Sequence, residues 1–181
     1  MILSAATSQL LIIDVQEKLA PAMSDAGPVS ENSARLLTAA RQFAMPLVVS
    51  EQYPGGIGPT VARLRDAAGE DARFFEKLAF SCGRDEAIAA HLNAQKRRQI
   101  VIAGIEAHVC VLQSALDLKQ AGYEVFVVVD AIASRQEASR EAALRRMEQA
   151  GVSCVTTEMA IFEWLGRAGT VDFKALMPLI K

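Results

Sequence analysis

The chain has 181 residues, enough for one domain with a proper hydrophobic core. Apolar residues make up 51% of it and charged residues 22%, which is the composition of a globular protein. The formal net charge of −2 argues against the strongly basic surface that nucleic-acid and anionic-membrane binders use.

Six short segments are predicted to be strands. Five of them are nearly continuous in Val, Ile and Leu, as strands buried on both faces should be. These five cover residues 9–15, 46–50, 99–103, 124–130 and 152–156, and a weaker candidate covers 72–76. Helical patterns lie between and after them, over residues 30–43, 84–94, 109–121, 136–150, 158–167 and 171–180. Gly122 and Gly151 follow two of these helices, at the position where glycine commonly ends a helix.

The alternation of strands and helices predicts an α/β fold with a parallel sheet covered on both faces. No linker or internal repeat divides the chain, so residues 1–181 are expected to form a single domain. Residues 51–59, E-Q-Y-P-G-G-I-G-P, are predicted to be a shaped loop because of their Pro and Gly content. The loop would lie at the carboxyl edge of the sheet, where ligands bind in such folds.

The three cysteines are odd in number and lack C-x-x-C spacing, so no disulfide framework is expected. Cys82 is predicted to be structural or to reach the site, and Cys154 to lie in the core. The apolar run that begins at Leu10 lacks a basic flank and is interrupted by Asp14, which is unlike a signal peptide. No stretch has the length of a membrane span. The expected location is therefore cytoplasmic.

Three reactive side chains fall at the carboxyl ends of predicted strands: Asp14, Lys77 and Cys110. Each also has an ordinary interpretation, as a turn residue, a solvated lysine and a small core residue respectively. Cys110 opens the helix predicted over 109–121, and that position predicts a lowered thiol pKa. The free N–H groups there could receive an oxyanion, a nearby lysine would favour thiolate, and a carboxylate could accept the thiol proton.

Three longer segments contain these residues and read L-L-I-I-D-V-Q-E-K-L, F-E-K-L-A-F-S-C and V-I-A-G-I-E-A-H-V-C-V-L-Q-S-A-L-D-L. They resemble the signature segments of the isochorismatase-like cysteine hydrolases, and most of all those of the isochorismatase-domain-containing proteins. The resemblance extends over essentially the whole chain. It implies a Rossmann-like three-layer α/β/α sandwich with a six-stranded parallel sheet.

The resemblance also implies the roles of individual residues. Asp14, Lys77 and Cys110 match the catalytic triad of the family. A non-proline cis peptide bond is expected between Ile105 and Glu106. The backbone N–H groups of Glu106 and Cys110 would then form the oxyanion hole.

Nicotinamidases of the same superfamily bind a metal with an Asp and two His that follow the second strand. The corresponding stretch here, S-E-Q-Y-P-G-G-I-G-P-T, contains no histidine, and the chain has only His91 and His108. We therefore expect neither a metal nor another cofactor. His91 is expected to lie on a surface helix, and His108 to begin a helix or line the pocket.

Four side chains are predicted to contact the substrate, with packing as the alternative for each. Gln16 follows Asp14 by two residues and shares its strand face, so it could orient the carboxylate or a substrate. Tyr53 in the 51–59 loop, Phe80 close after Lys77, and His108 are the other candidates.

The predicted function is a metal-independent cysteine hydrolase that cleaves the C–N bond of a small amide-type molecule through a thioester. One alternative is a non-amide hydrolase of the isochorismatase type, in which Asp14 acts as general acid. The other is a non-catalytic binding protein with a degenerate site. Because such relatives commonly form homo-oligomers, one is expected here, with Trp164 and residues 175–180 as candidate contacts. The partner is expected to be a small molecule, and neither nucleic acid nor a membrane.

Overall fold

The computed structural model describes residues 1–180. Six strands alternate with eight helices in that part of the chain. The strands are β1 (Ser8–Ile13), β2 (Leu47–Gln52), β3 (Ala72–Lys77), β4 (Gln99–Ile105), β5 (Glu124–Ala133) and β6 (Ser153–Val155). The helices are α1 (Ala26–Gln42), α2 (Pro54–Ile57), α3 (Ala62–Ala68), α4 (Glu86–Ala94), α5 (Leu112–Gln120), α6 (Glu137–Gln149), α7 (Thr157–Leu165) and α8 (Val171–Ile180).

All six strands are parallel and lie in the order β3-β2-β1-β4-β5-β6. The chain therefore winds outward from β1 in one direction and then, from β4 onward, in the other. The reversal lies between β1 and β4, and ligands of such sheets bind outside the carboxyl ends of the strands at this point. The predicted α/β fold with a six-stranded parallel sheet is confirmed.

The sheet separates two hydrophobic cores, because successive side chains of a strand point to opposite faces. In β1, Leu10 and Ile12 face one core, while Leu11 and Ile13 face the other. Helices α1, α3, α7 and α8 pack on the first face, and α4, α5 and α6 on the second. This arrangement is the predicted three-layer α/β/α sandwich.

The first helix begins earlier than predicted. It starts at Ala26 rather than at residue 30, and Pro28 lies in its first turn. Proline is tolerated there because the first backbone N–H groups of a helix have no partner within it. The buried Val29 anchors this turn to the core.

Two predictions about the segments that follow β2 and β4 were wrong in part. Residues 51–59 do not form one loop, because Glu51 and Gln52 extend β2 and pair with Glu76 and Lys77 of β3. A single helical turn, α2, follows them. The predicted helix over 109–121 is also divided, because a π-helical turn at Ala107–Val111 precedes α5.

The C-terminal part of the described chain packs on its own domain. Trp164 is buried, and its indole N–H donates to Ser8 Oγ at 3.2 Å, so it is a core residue. Leu176 of α8 is buried in the same core. Cys154 does not lie in the core as predicted, because β6 is a short strand at the edge of the sheet and leaves it half-buried. Among residues 1–180, no helix is both long enough and apolar enough to cross a bilayer.

Candidate active site

The carboxyl edge of the sheet brings Asp14, Lys77 and Cys110 together. Asp14 directly follows β1, Lys77 ends β3, and Cys110 lies in the π-helical turn after β4. Lys77 Nζ is 2.7 Å from Asp14 Oδ2, and both side chains are fully shielded from solvent. The charges of both residues act on the Cys110 thiol, and Asp14 is within hydrogen-bonding reach of it.

Asp14 is held in a fixed position by its backbone and by its neighbours. Its φ of 54° lies in the left-handed region, which aspartate tolerates better than most residues. Ser50 Oγ of β2 donates to Asp14 Oδ1 at 2.7 Å, while the Lys77 ammonium occupies Oδ2. Both carboxylate oxygens are therefore engaged by side chains from β2 and β3.

A glycine permits the close approach of β4 to the end of β1. Gly104 pairs with Ile13 and has a φ of 125°. A Cβ atom at this position would lie 2.0 Å from the carbonyl oxygen of Ile13, far inside contact distance. The turn that carries Cys110 is thus kept next to Asp14 by a position where only glycine fits.

The Lys77 ammonium has three N–H donors, and four acceptor oxygens surround it. It donates to Asp14 Oδ2 and to Gln52 Oε1, each at 2.7 Å, and to two backbone carbonyls of the following turn at 3.1 and 3.2 Å. Burial is the largest single influence and opposes the charged form, but Asp14 together with Cys82 and Cys110 outweighs it, and the pKa of Lys77 lies above its ordinary value. Lys77 is therefore a buried ammonium ion.

Cys110 is a neutral thiol at rest. Its position at a helix start predicts a lowered pKa, and this prediction is wrong. Burial first, and then the Asp14 charge, raise the pKa of Cys110 above its ordinary value, and Lys77 offsets only part of this effect. Because the thiol is buried, its ionisation requires a base within the site.

The turn before Cys110 has the expected backbone. The peptide bond between Ile105 and Glu106 is cis. The carbonyl of Glu106 accepts hydrogen bonds from the N–H groups of Val109 and Val111, which shape the π-helical turn. The Glu106 carboxylate pairs with Arg135, whose Nε lies 2.8 Å from Oε2. The oxyanion hole at the N–H groups of Glu106 and Cys110 stays a prediction.

Gln16 is not part of the lining of the cavity beside Lys77 described below. Its Oε1 accepts from the backbone N–H of Gln52 at 2.7 Å, and its Nε2 donates to the carbonyls of Gln52 and Gly58 at 3.0 and 2.6 Å. The side chain is fully buried. Every hydrogen-bonding atom of its amide is thus used to fix the end of β2, and the predicted substrate contact is not supported.

An open cavity of about 600 Å³ lies beside Lys77. It is lined by Tyr53, Pro54, Gly55, Glu76, Lys77, Leu78, Ala79 and Asp85. Tyr53 thus lies where a pocket wall was predicted. Phe80 is exposed and does not line this cavity, although its carbonyl accepts from the Lys77 ammonium. Asp14 and Cys110 lie deeper and are not part of the lining.

The two histidines lie outside this arrangement. His108 Nδ1 is 2.9 Å from Ser134 Oγ, and the ring borders a separate hollow with Arg135, Gln136 and Ser139. It is therefore not brought to the cavity beside Lys77. His91 packs against Phe75, with the ring centroids 5.3 Å apart, as a partly buried side chain of α4.

Comparison with known proteins agrees with the fold. Residues 8–159 match the family model of the isochorismatase domain. The chain belongs to the isochorismatase family. Isochorismatase domain-containing protein 2 of Xenopus laevis is 36% identical over 174 residues, which cover 96% of this chain and 83% of that protein. The chain is thus an isochorismatase-family hydrolase.

Two solved structures of relatives are similar over nearly the whole chain. MAR1 ribonuclease from Caenorhabditis elegans superposes with a TM-score of 0.94 at 37% identity, covering 99% of this chain and 92% of that one. The YcaC gene product of Escherichia coli, an octameric hydrolase of unknown specificity, has a TM-score of 0.92 at 25% identity. That match covers 99% of this chain and 90% of the other.

The residues present do not fit the metal centre that some members of the isochorismatase family carry. Glu51, near the end of β2, is the one acid in residues 50–60, and its Oε1 already accepts from the N–H and hydroxyl of Thr60 and from Arg65. No histidine lies in that stretch. Within residues 1–180, no group of three or more His, Cys, Asp and Glu side chains is arranged to hold a metal ion.

Sequence reasoning missed two polar side chains of β2. Ser50 contacts Asp14, and Gln52 contacts Lys77, from the strand that lies between β1 and β3. The signal was available, because these residues alternate at the end of an apolar strand and therefore point to the same side. A buried strand gains nothing from such polar residues unless they have partners.

Cys82 lies next to the site as a fully buried side chain. Its backbone N–H donates to Ser114 Oγ at 2.8 Å, and its thiol is close enough to act on Lys77 and Cys110. Burial, and then the Asp14 charge, raise the pKa of Cys82 to about 11. It is therefore a structural residue that also contributes to the surroundings of the site.

Proposed function

We propose that this member of the isochorismatase family is a metal-independent cysteine hydrolase that cleaves the C–N bond of a small amide-type molecule. One observation carries the proposal: a buried carboxylate that is salt-bridged to a buried ammonium lies within hydrogen-bonding reach of a buried thiol. Three ionisable groups are costly to bury together unless they act on one another. Their positions at the switch point of the sheet add support.

In the proposed reaction, Asp14 accepts the proton of the Cys110 thiol while the sulfur attacks the substrate carbonyl carbon. The carbonyl oxygen becomes an oxyanion, which the backbone N–H groups of Glu106 and Cys110 would stabilise. The C–N bond then breaks, and the amine leaves with the proton held by Asp14. Water next attacks the thioester and gives a proton to Asp14, which returns it to the departing sulfur.

The resting protonation states support this order of events. A thiol whose pKa is raised is a weak nucleophile on its own, and it gains from a base that removes its proton during attack. Lys77 keeps its charge throughout and acts on both the Asp14 carboxylate and the Cys110 sulfur. No cofactor takes part in these steps.

The cavity beside Lys77 supports a small-molecule substrate. Its volume of about 600 Å³ is in the range typical of small-molecule pockets. Two of its lining residues, Glu76 and Asp85, are acidic, and its one basic residue, Lys77, is held by Asp14. Such a lining would repel the phosphates of RNA, the substrate class that the name of the Caenorhabditis elegans ribonuclease gives for that relative.

The test is a panel of small amides, with an RNA oligonucleotide included, incubated with the wild-type chain and with Cys110→Ala. We expect one or more amides to be hydrolysed by the wild type and to leave an acyl adduct on Cys110, detected by mass spectrometry. Cys110→Ala should fold normally, because the thiol is replaced by a smaller apolar side chain, and should lose turnover. Unchanged amide hydrolysis in Cys110→Ala would overturn the proposal.

The same variants separate the alternatives. A hydrolase of the isochorismatase type would tolerate Cys110→Ala but not Asp14→Asn, since Asp14 would then be the general acid. Binding of a panel compound without turnover by any form would indicate a binding protein.

We also infer that the chain forms a homo-oligomer in a reducing compartment such as the cytoplasm. The octameric state given for the Escherichia coli relative supports the first inference. The exposed apolar side chains of Leu78 and Phe80 add to it. The three cysteines are free, which supports the second.

A further inference from the structure

Gln52 is the side chain through which β2 reaches the catalytic ammonium. It is the last residue of its strand and pairs directly with Lys77 across the β2–β3 ladder. Its Oε1 lies 2.7 Å from Lys77 Nζ, as close as the Asp14 carboxylate. Only 8% of Gln52 is exposed, so water does not compete strongly for this contact.

The orientation of the Gln52 amide is fixed by its other end. Its Nε2 donates to the carbonyl of Leu78 at 2.9 Å, and an amide nitrogen can only donate. The oxygen must then point to Lys77, which can also only donate. A rotated amide would place two donors against each other and leave a carbonyl without its partner. The amide of Gln52 thus presents an acceptor to the ammonium in one orientation.

The backbone of Gln52 is fixed as well. The Gln16 side chain bonds both its N–H and its carbonyl, at 2.7 and 3.0 Å, in the manner of a neighbouring strand. Gln16 follows Asp14 by two residues. This contact therefore links the segment that carries Asp14 to the end of β2, whose Gln52 side chain binds the Lys77 ammonium. The position of Gln52 is therefore set relative to Asp14 itself.

We propose that Gln52 is a positioning residue of the active site, which acts on Cys110 through Lys77 by holding the ammonium beside Asp14 and the thiol. This role rests on the proposed function for its catalytic meaning, but its effect on the thiol does not require a substrate. Without the Gln52 oxygen, Lys77 keeps one short acceptor, Asp14, and two longer carbonyl contacts. The ammonium can then move away from the thiol, whose ionisation it favours.

The experiment measures the rate at which iodoacetamide alkylates Cys110 in the wild type, Gln52→Leu and Gln52→Met. Trypsin separates Cys110 from Cys82, because Lys77, Arg84, Arg98 and Lys119 bound their peptides. We expect each Gln52 variant to slow alkylation of Cys110 at pH 8 by roughly tenfold or more, the factor that a hydrogen bond to a charged group represents. Two variants are used because Gln52→Met keeps the length of the side chain.

Gln9→Leu is the matched control. Gln9 is a fully buried glutamine of β1 whose amide also donates to backbone carbonyls, but it lies at the amino end of its strand. It should leave the alkylation rate of Cys110 within about twofold of the wild type, since a loss of stability alone does not act on the site.

A second background distinguishes positioning from a general structural effect. In Lys77→Met, where the ammonium is absent, Gln52→Leu should cause no further slowing, because the two residues act in series. An equal slowing in both backgrounds, or a rate for Gln52→Leu like that of the wild type, would overturn the proposal. Failure of the amide panel with intact coupling would instead refute the hydrolase proposal and leave the role of Gln52 in place.

Discussion

Replacing Lys77 by Met tests whether the buried ion pair holds the site together. The substitution removes the ammonium but keeps an apolar stem of similar length. It leaves the Asp14 carboxylate fully shielded from solvent, with the Ser50 hydroxyl at 2.7 Å and the neutral Cys110 thiol as its remaining side-chain donors. A buried charge that loses its partner is much more costly than a pair replaced as a whole.

The structure allows the size of the effect to be worked out. Loss of one partner of a buried ion pair destabilises a protein by about 3–5 kcal/mol. For a chain of this length that corresponds to a fall in Tm of roughly 6–20 °C. The double variant Lys77→Met/Asp14→Asn removes both charges. It should be more stable than the sum of the single variants predicts, by about 0.5–3 kcal/mol.

The assay is urea unfolding followed by the fluorescence of Trp164, the one tryptophan of the chain, which is buried and lies outside the site. The control is Arg98→Met, which breaks a pair of similar N–O distance, 2.8 Å to Glu124, with the arginine side chain 73% exposed. That change should cost no more than about 1 kcal/mol. A cost for Lys77→Met as small as the control's, or strict additivity in the double variant, would refute the reasoning.

Two further predictions concern the strand ends and the buried thiols. Gly104→Ala should destabilise the chain by more than roughly 4 kcal/mol, since its Cβ would overlap the Ile13 carbonyl. Gly122→Ala, with positive φ but open space, should cost only about 1–2 kcal/mol in the same unfolding assay, and equal costs would contradict the packing argument. The folded-state pKa of Cys82, raised from 9.0 to about 11, predicts stability that is fully present below pH 9 and falls as the pH rises toward 11. Between pH 8 and pH 11 the free energy of unfolding, measured in urea, should fall by about 2 kcal/mol less in Cys82→Ala than in the wild type. An equal fall in both would exclude Cys82 as the source of the pH dependence.

The fold could be predicted because each buried strand is recognisable from the residues of its own segment. Strands buried on both faces must be apolar throughout, and the segments around Leu11, Val48 and Ile102 show this directly. The strand ends were not predictable in the same way. Glu51 and Gln52 are predicted as loop together with the Pro and Gly residues that follow them. No apolar side chain marks them as strand, because one binds Thr60 and the other binds Lys77. Polar residues that have specific partners at the end of a strand thus resemble, in sequence, the polar residues of a loop.

The placement of Asp14, Lys77 and Cys110 could also be predicted, since parallel strands bring their carboxyl ends to one edge and family resemblance pointed to the same residues. The direction in which Gln16 points could not. Its sequence position gives the strand face only while the strand lasts, and β1 ends at Ile13. Beyond that point the turn at Asp14, with its positive φ, redirects the chain.

The pKa of Cys110 shows why the predicted sign failed and why the proposed chemistry does not depend on it. A helix start and a nearby lysine lower the pKa of a thiol that water reaches, but burial weakens the stabilisation that water gives to thiolate. Transfer of the proton to Asp14 avoids this penalty, because the net charge of the three groups is zero before and after the step. The negative charge moves from the Asp14 carboxylate to the Cys110 sulfur, and the Lys77 ammonium acts on both groups. How readily the proton moves from Cys110 to Asp14 therefore depends on where the Lys77 ammonium lies relative to these two groups. The Asp14 carboxylate and the Gln52 oxygen fix that position.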